Sequence, residues 1–289
     1  MKRIRAGCFT PHIFALAWLA AAPAHAGAWP QAPGESLLIQ TLERATADSE
    51  FGGEAPVDFA KTETRIYGEH GLAERWTLTG QFVLQDVRFD GTGGRTDYSG
   101  PAAARAGLRR ALWTDGSQWL SFGADIGYQR GGEYVTDAEL IYEDLSSDLR
   151  LLYGRGWARG FVDAQGGYVA RYGRGPDSWV ADATLGWRPL SRLTLAASAF
   201  GRSTDAALIG GDEIRASDSL KLKAALVYNL RTDIQVEFGV LSTVAGRNHV
   251  RDSGFSLGVW RRFGAKSPES REQVGGWSRG PDGMNSGSP

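Results

Sequence analysis

Residues 119–129 read Trp119-Leu120-Ser121-Phe122-Gly123-Ala124-Asp125-Ile126-Gly127-Tyr128-Gln129. Leu120, Phe122, Ala124, Ile126 and Tyr128 share one parity, and Trp119, Ser121, Gly123, Asp125, Gly127 and Gln129 share the other. Successive side chains of a strand point to opposite faces. The stretch therefore predicts a strand with one apolar and one polar face. Charge recurs on the polar parity of many similar stretches. A packed soluble core would not tolerate that charge. A transmembrane barrel reverses the arrangement, with hydrocarbon outside and polar groups within.

Working outward, the alternation predicts twelve strands, near 35–47, 57–69, 74–89, 101–113, 118–130, 145–156, 159–172, 178–188, 192–204, 215–229, 233–244 and 251–263. Every second connection is tight: His70–Ala73, Thr114–Ser117, Trp157–Ala158, Pro189–Ser191 and Leu230–Thr232. The others, 48–56, 90–100, 131–144, 173–177, 205–214 and 245–250, are longer and polar. Short periplasmic turns and long outer loops are the pattern of an outer-membrane barrel, and an even strand count returns both ends to one side. The expected fold is all-β: a single antiparallel twelve-stranded barrel over 27–263, both termini periplasmic.

The ends fit an exported chain. Lys2, Arg3 and Arg5 precede a short apolar run, Ile13 to Ala22, and Ala24-His25-Ala26 has the small-x-small form of a cleavage site. Residues 1–26 read as a signal peptide, since the apolar run is too short to span a bilayer. Cleavage there removes Cys8, the single cysteine, and with it thiol and Cys-metal chemistry. Residues 264–289, rich in Gly, Ser, Pro and charge, read as a disordered periplasmic tail. The net charge of -1 gives no bulk electrostatic case for nucleic acid.

The aliphatic parity is expected to face lipid, with Trp76, Trp113, Trp157, Trp187, Tyr228 and Phe263 near the tight turns forming an aromatic girdle. The opposite parity is expected to line the lumen. It carries Lys61, Glu63, Arg65 and Glu69, then Arg105, Arg109, Asp125, Asp148, Arg150, Asp163, Arg171, Asp182, Arg188, Arg202, Lys221, Lys223, Glu237 and Arg262. Basic residues outnumber acidic ones in that set. Two readings follow: a salt-bridged filling, or a basic track for an anionic or hydroxyl-rich solute. Cross-strand pairs are expected, Asp125 with Arg105 or Arg109 among them.

No catalytic residue, metal site or cofactor is expected. His70 falls in a predicted periplasmic turn and His249 in a predicted outer loop, neither in a nucleophile or metal motif. Asp137, Glu139, Glu143 and Asp144 lack calcium-loop spacing and read as a solvated acidic loop, and Gly91, Gly93 and Gly94 as a flexible outer loop.

Certain stretches carry a family likeness. They are Ala28-Trp29-Pro30-Gln31-Ala32-Pro33-Gly34-Glu35, Tyr67-Gly68-Glu69-His70-Gly71-Leu72-Ala73-Glu74-Arg75-Trp76-Thr77-Leu78, Gly160-Phe161-Val162-Asp163-Ala164-Gln165 and Leu185-Gly186-Trp187-Arg188-Pro189. Together they resemble proteobacterial outer-membrane barrels of the XagA type over roughly residues 28 to 263. More distantly they are similar to barrels that accompany aromatic-degradation pathways. The first resemblance implies a non-enzymatic part in exopolysaccharide export or surface display. The expected partners are outer-membrane lipid, lipopolysaccharide and the barrel-assembly machinery, joined through the resemblance by exopolysaccharide and its synthesis and export proteins. The alternatives are a porin for small organic solutes and an adhesion protein with a plugged lumen.

Overall fold

The computed structural model describes residues 27–53, 56–91, 94–130, 143–173, 175–209 and 212–264. The expected leader, positions 131–142 and the tail after Gly264 lie outside the described residues. The strands are β1 (Ser36–Ala47), β2 (Asp58–Ala73), β3 (Trp76–Gly91), β4 (Gly94–Thr114), β5 (Gln118–Arg130), β6 (Glu143–Trp157) and β7 (Gly160–Arg171). They continue with β8 (Ser178–Leu190), β9 (Leu193–Thr204), β10 (Ala207–Ile209), β11 (Asp212–Ile214), β12 (Ser217–Asn229), β13 (Ile234–Arg247) and β14 (Ser253–Phe263). Twelve of them close into one antiparallel barrel, with β14 pairing back on β1; β10 and β11 form a separate hairpin.

Each barrel strand overlaps one of the twelve stretches that alternation marks. The main departure lies between β3 and β4. Positions 90–100, expected as a loop, continue both strands until Gly91 faces Gly94. The alternation persists there with its polarity exchanged. Asp86, Arg88 and Asp90 point outward, while Val87 and Phe89 point inward and are buried. Opposite charges support the extension from outside, with Arg95 2.8 Å and Arg88 3.9 Å from Asp97. Val57, Phe59, Val87, Phe89 and Val250 form a small apolar core inside this end. The wall above the lipid-facing belt thus obeys the rule for water: polar outside, apolar inside.

Within the belt the rule is inverted. Along β3, Trp76, Leu78, Phe82 and Leu84 are exposed, and the intervening Thr77, Thr79, Val83 and Gln85 are buried. The outward apolar side chains continue through Phe122, Ile126, Leu149, Leu151, Leu185, Leu222, Phe238 and Leu257, Ile126 reaching 73% exposure. Leaving such side chains in water forfeits roughly 1.5–3 kcal/mol each. A continuous belt of them identifies hydrocarbon as the solvent of this surface.

Trp76, Trp113, Trp157, Trp187, Tyr228 and Phe263 all stand exposed at the tight-turn end. Arg110 lies 5.2 Å from the Trp76 ring centroid and Arg261 4.7 Å from that of Phe263, placing cations beside amphipathic rings. Trp113 has the parity of the inward Arg105 and Arg109. A register shift between Ala111 and Trp113 turns both Leu112 and Trp113 outward. At the loop end Trp179 packs on Tyr168, ring centroids 4.8 Å apart, and gives the belt a second aromatic edge. With a rise of about 3.3 Å per residue and a tilt near 40°, Trp179 and Trp187 sit about 20 Å apart along the barrel axis. That spacing matches a thin apolar band.

The tight turns follow their sequences. In the β4–β5 turn, Gly116 takes φ +90°, and the Asp115 carboxylate accepts from the amides of Ser117 (3.0 Å) and Gln118 (2.8 Å). These bonds, the Gln118 amide foremost, hold the Asp115 carboxyl below its ordinary range. Pro101 and Pro189 fall at register shifts, where a missing N–H costs no ladder bond.

The belt gives a direct expectation. Leu151→Arg, at mid-belt, should lower folding stability in lipid by about 2–4 kcal/mol, whereas Asp86→Arg, above the belt, should cost about 0–1 kcal/mol. Urea unfolding from bilayers, followed by tryptophan fluorescence, measures both.

Candidate functional site: the lumen

The candidate site is the barrel interior, built by the inward parity of the twelve barrel strands. The charges expected there all lie on that parity. The register explains how they pair. Like charges stand directly across from one another, Glu43 from Glu63 and Asp125 from Asp148, and basic side chains bridge them diagonally. Lys61 reaches Glu63 at 3.3 Å and Glu43 at 4.0 Å. Lys221 bonds Asp252 at 2.9 Å and approaches Glu43 at 3.7 Å, while Arg65 pairs with Glu63. A second chain runs from Arg105 to Asp148 (3.1 Å), from Asp148 to Arg150, and from Arg150 to Asp182 (3.1 Å). Lys223 closes on Glu237 at 2.5 Å.

The expected pairing of Asp125 with Arg105 or Arg109 does not form. The register sets Asp125 between Gly107 and Asp148, and its carboxylate accepts from Thr79 Oγ1 at 2.7 Å instead. Arg109 gives both terminal nitrogens to Glu69, each bond 2.9 Å. Tyr67 (2.7 Å) and Gln31 (2.6 Å) donate to the same carboxylate. Glycines make room for the long side chains to lie flat. A Cβ at Gly127 would stand 2.5 Å from Cγ of Arg105, and one at Gly167 2.7 Å from Cγ of Arg150.

Three acids escape the sequence reading: Glu43, Asp144 and Asp252. Asp252 and Asp144 are each only 2% exposed. Asp144, expected in a solvated loop, opens β6 and accepts from the Gly175 amide. Asp252 accepts from Thr243 Oγ1 and sits just before β14. With them the acids nearly match the bases, so the basic excess of the expected set does not hold for the whole interior. Arg171, Arg188, Arg202 and Arg262 complete the basic residues, on β7, β8, β9 and β14.

The other unforeseen element is the segment before β1. Residues Gly27–Gln31 lie inside the barrel at the tight-turn end. Ala28 is fully buried, its amide donates to Asp163 (3.0 Å), and its carbonyl accepts from Ser121 (2.5 Å). Arg109 donates to the Trp29 carbonyl at 2.9 Å. The Trp29 ring meets Phe161 edge-on with centroids 6.3 Å apart, against a wall made flat by Gly154. The Gln31 amide donates to Thr77 Oγ1 at 3.0 Å, and Pro33 bridges Gly71 before β1 begins. This strap crosses the wall made by β2–β7. Opposite it, the wall carries small side chains: Thr184, Ala196, Ser198 and Ala225.

Between strap and small-residue wall runs a cavity of about 1580 Å³. Its lining reaches Ser117, Arg159 and Ser191 in the tight turns and His249, Val250 and Asp252 at the loop end. Phe59, Phe161, Phe200 and Trp260 line it alongside Arg65, Arg202 and Lys223, so the path is amphipathic.

His70 lies in β2, not in a turn, because β2 runs on to Ala73. Its Nδ1 meets Ser36 Oγ at 2.8 Å on the outer, exposed side of β1 and β2. Among the described residues no third group orients this histidine, and the neighbouring amides are spent in the ladder. The pair is a hydrogen bond at the barrel rim. His249 contacts the Val250 carbonyl at 2.9 Å, and no described His, Cys, Asp or Glu cluster could hold a metal ion.

A closed antiparallel barrel with a lipid-facing belt, aromatic edges and an ion-lined interior defines an outer-membrane β-barrel. No family model matches this chain, and no curated protein matches its sequence. Solved structures do. The COG4313 outer membrane channel from Pseudomonas putida F1 is 17% identical, covers 83% of this chain and 99% of its own, and superposes with a TM-score of 0.63. The NanC porin is 10% identical over 78% of this chain and 98% of its own, TM-score 0.54. The translocator domain of the autotransporter NalP from Neisseria meningitidis is 15% identical over 81% and 90%, TM-score 0.50. At these identities the likeness fixes the fold, which a channel, a porin and a translocator share.

The Arg109–Glu69 pair tests the lumen energetics. Glu69→Ala leaves a buried guanidinium unpaired and should cost about 3–5 kcal/mol, while Glu69→Leu combined with Arg109→Met should recover most of that loss. Urea titrations of the two variants decide it.

Proposed function

We propose that this protein is a passive outer-membrane channel for small organic solutes, with its tight turns and both barrel ends on the periplasmic side. The observation that carries the reading is the cavity that extends from the turn residues Ser117 and Ser191 to the loop-end residues His249 and Asp252. Its mixed lining suits molecules with both apolar and polar parts, since it holds aromatic faces and arginine forks together. The internal ion pairs hold the wall side chains in place and leave the bore between them open. No covalent chemistry is assigned to the lumen. Its surroundings are lipid and lipopolysaccharide, and its insertion belongs to the barrel-assembly machinery.

Export or display of an exopolysaccharide is the second reading. It rests on the XagA-type resemblance and on the basic side chains Arg188, Arg202, Lys221, Lys223 and Arg262 around the open half. The strap, laid over the opposite wall, narrows the bore, which favours small molecules over a polymer. The adhesion reading requires a filled bore, and a cavity of this size weighs against it.

Reconstituted into planar bilayers, the purified protein should give discrete conductance steps, and Ala196→Trp with Ser198→Trp should lower them. Liposome swelling separates the first two readings. Uptake falling steadily from mono- to trisaccharides supports the small-solute channel. Equal rates across that series would overturn it.

A further inference from the structure

We propose that the lumen contains a receptor for the chain's own processed amino terminus: cleavage after Ala26 leaves an α-ammonium on Gly27 that pairs with the buried carboxylate of Asp163. Asp163 is 8% exposed and points inward from β7. Among the described residues its carboxylate receives one hydrogen bond, from the Ala28 amide, and no lysine or arginine lies within ion-pair distance. Arg109, the basic group nearest in this network, is committed to Glu69 and to the Trp29 carbonyl. Arg109 acts on Asp163 only from beyond contact, and a buried carboxylate with one neutral donor lacks a counter-charge beside it.

Gly27 stands where that charge is needed. A Cβ built on it would lie 2.1 Å from Oδ2 and 3.0 Å from Oδ1 of Asp163, so its backbone is pressed against the carboxylate. Any side chain there would push the Asp163 carboxylate from its place. It is also the residue that follows Ala24-His25-Ala26, the small-x-small sequence read independently as the cleavage site. In the uncleaved chain the Gly27 nitrogen is a neutral amide and supplies no charge. Cleavage one residue later would begin the chain at Ala28, whose nitrogen already contacts Asp163, but would leave the space of Gly27 vacant.

The pairing completes the strap. Ser121 holds the Ala28 carbonyl, Arg109 the Trp29 carbonyl and Thr77 the Gln31 amide. The ammonium adds the one ionic contact, at the free end, where a strap otherwise frays. Removal of the leader thereby creates the group that fixes the segment in the lumen. This inference stands whichever solute the channel passes.

Intact mass and amino-terminal sequencing of the protein isolated from outer membranes should give a chain starting at Gly27. An amine-reactive aldehyde selective for α-amines then probes the terminus at neutral pH. Pairing with a carboxylate favours the charged, unreactive form, and a shift of one unit is tenfold, so the folded barrel should label about tenfold slower than the same chain in urea. Folded Asp163→Asn should label at close to the urea rate, and Asp163→Glu should restore protection. Heat-dependent gel mobility reports whether each variant is folded. If Asp163→Asn does not fold, the pH profile of wild-type labelling decides: pairing moves its midpoint above that of the unfolded chain, whereas burial without a partner moves it below. A mature chain beginning elsewhere, or a folded wild type labelled as fast as the unfolded one, would overturn the proposal.

Discussion

Hydrocarbon offers no hydrogen bond to a peptide group, and an unpaired N–H or C=O there costs several kcal/mol. A sheet in that solvent must therefore have no edge. The seam between β1 and β14, paired from Ser36↔Phe263 to Thr46↔Ser253, removes the last two edges. Everything else follows from this closure. Once the wall is continuous, each strand has one face toward lipid and one toward the bore, and a single-residue slip would exchange them. The irregularities are placed where they do no harm. Pro101 and Pro189 sit at register shifts, and the shift at Ala111–Trp113 turns an otherwise inward tryptophan to the interface.

The same wall sets the electrostatics of the bore. A ring of low-dielectric protein around a narrow bore makes an isolated charge expensive. The interior meets this with chains of alternating sign, in which a base on one strand serves acids on two. Lys61 between Glu43 and Glu63 and Arg150 between Asp148 and Asp182 are the repeating unit. The distribution is lopsided. The β2–β7 side carries the bidentate Arg109–Glu69 pair and the strap laid over it. The β8–β12 side carries alanine, serine and threonine between its cations. The cavity is what the strap and the small residues leave between them.

Much of this was legible in the sequence because period two survives composition. Leu149 and Leu151 against Asp148 and Arg150 give the face of β6 directly. The failures have physical causes. Above the belt the solvent changes from lipid to water, so the alternation through Asp86-Val87-Arg88-Phe89-Asp90 continues with reversed polarity, and a reading tuned to the belt ends the strand at 89 and takes 90–100 as a loop. Glu43 lies on a strand whose two parities are equally mixed, Leu37, Ile39 and Thr41 against Leu38, Gln40 and Leu42. Asp144 and Asp252 stand at strand ends, where parity has too few neighbours to count. Asp125 shows that parity without register cannot name a partner, since one strand's stagger decides whether it meets an arginine or another aspartate. The strap has no periodicity at all. Its only trace is Gly27 followed by an alanine and a tryptophan, small residues to enter and a large one to wedge.

The central claim is the inversion of solvent across the wall, and a cysteine scan through β5 tests it most directly. The described residues contain no cysteine, so each position from 119 to 129 can be labelled singly with a fluorophore in reconstituted bilayers. Brominated lipid should quench labels at 120, 122, 124, 126 and 128, while a water-soluble quencher reaches those at 123, 125 and 129, which line the cavity. Quenching without that alternation, or with the two sets exchanged, would contradict the account.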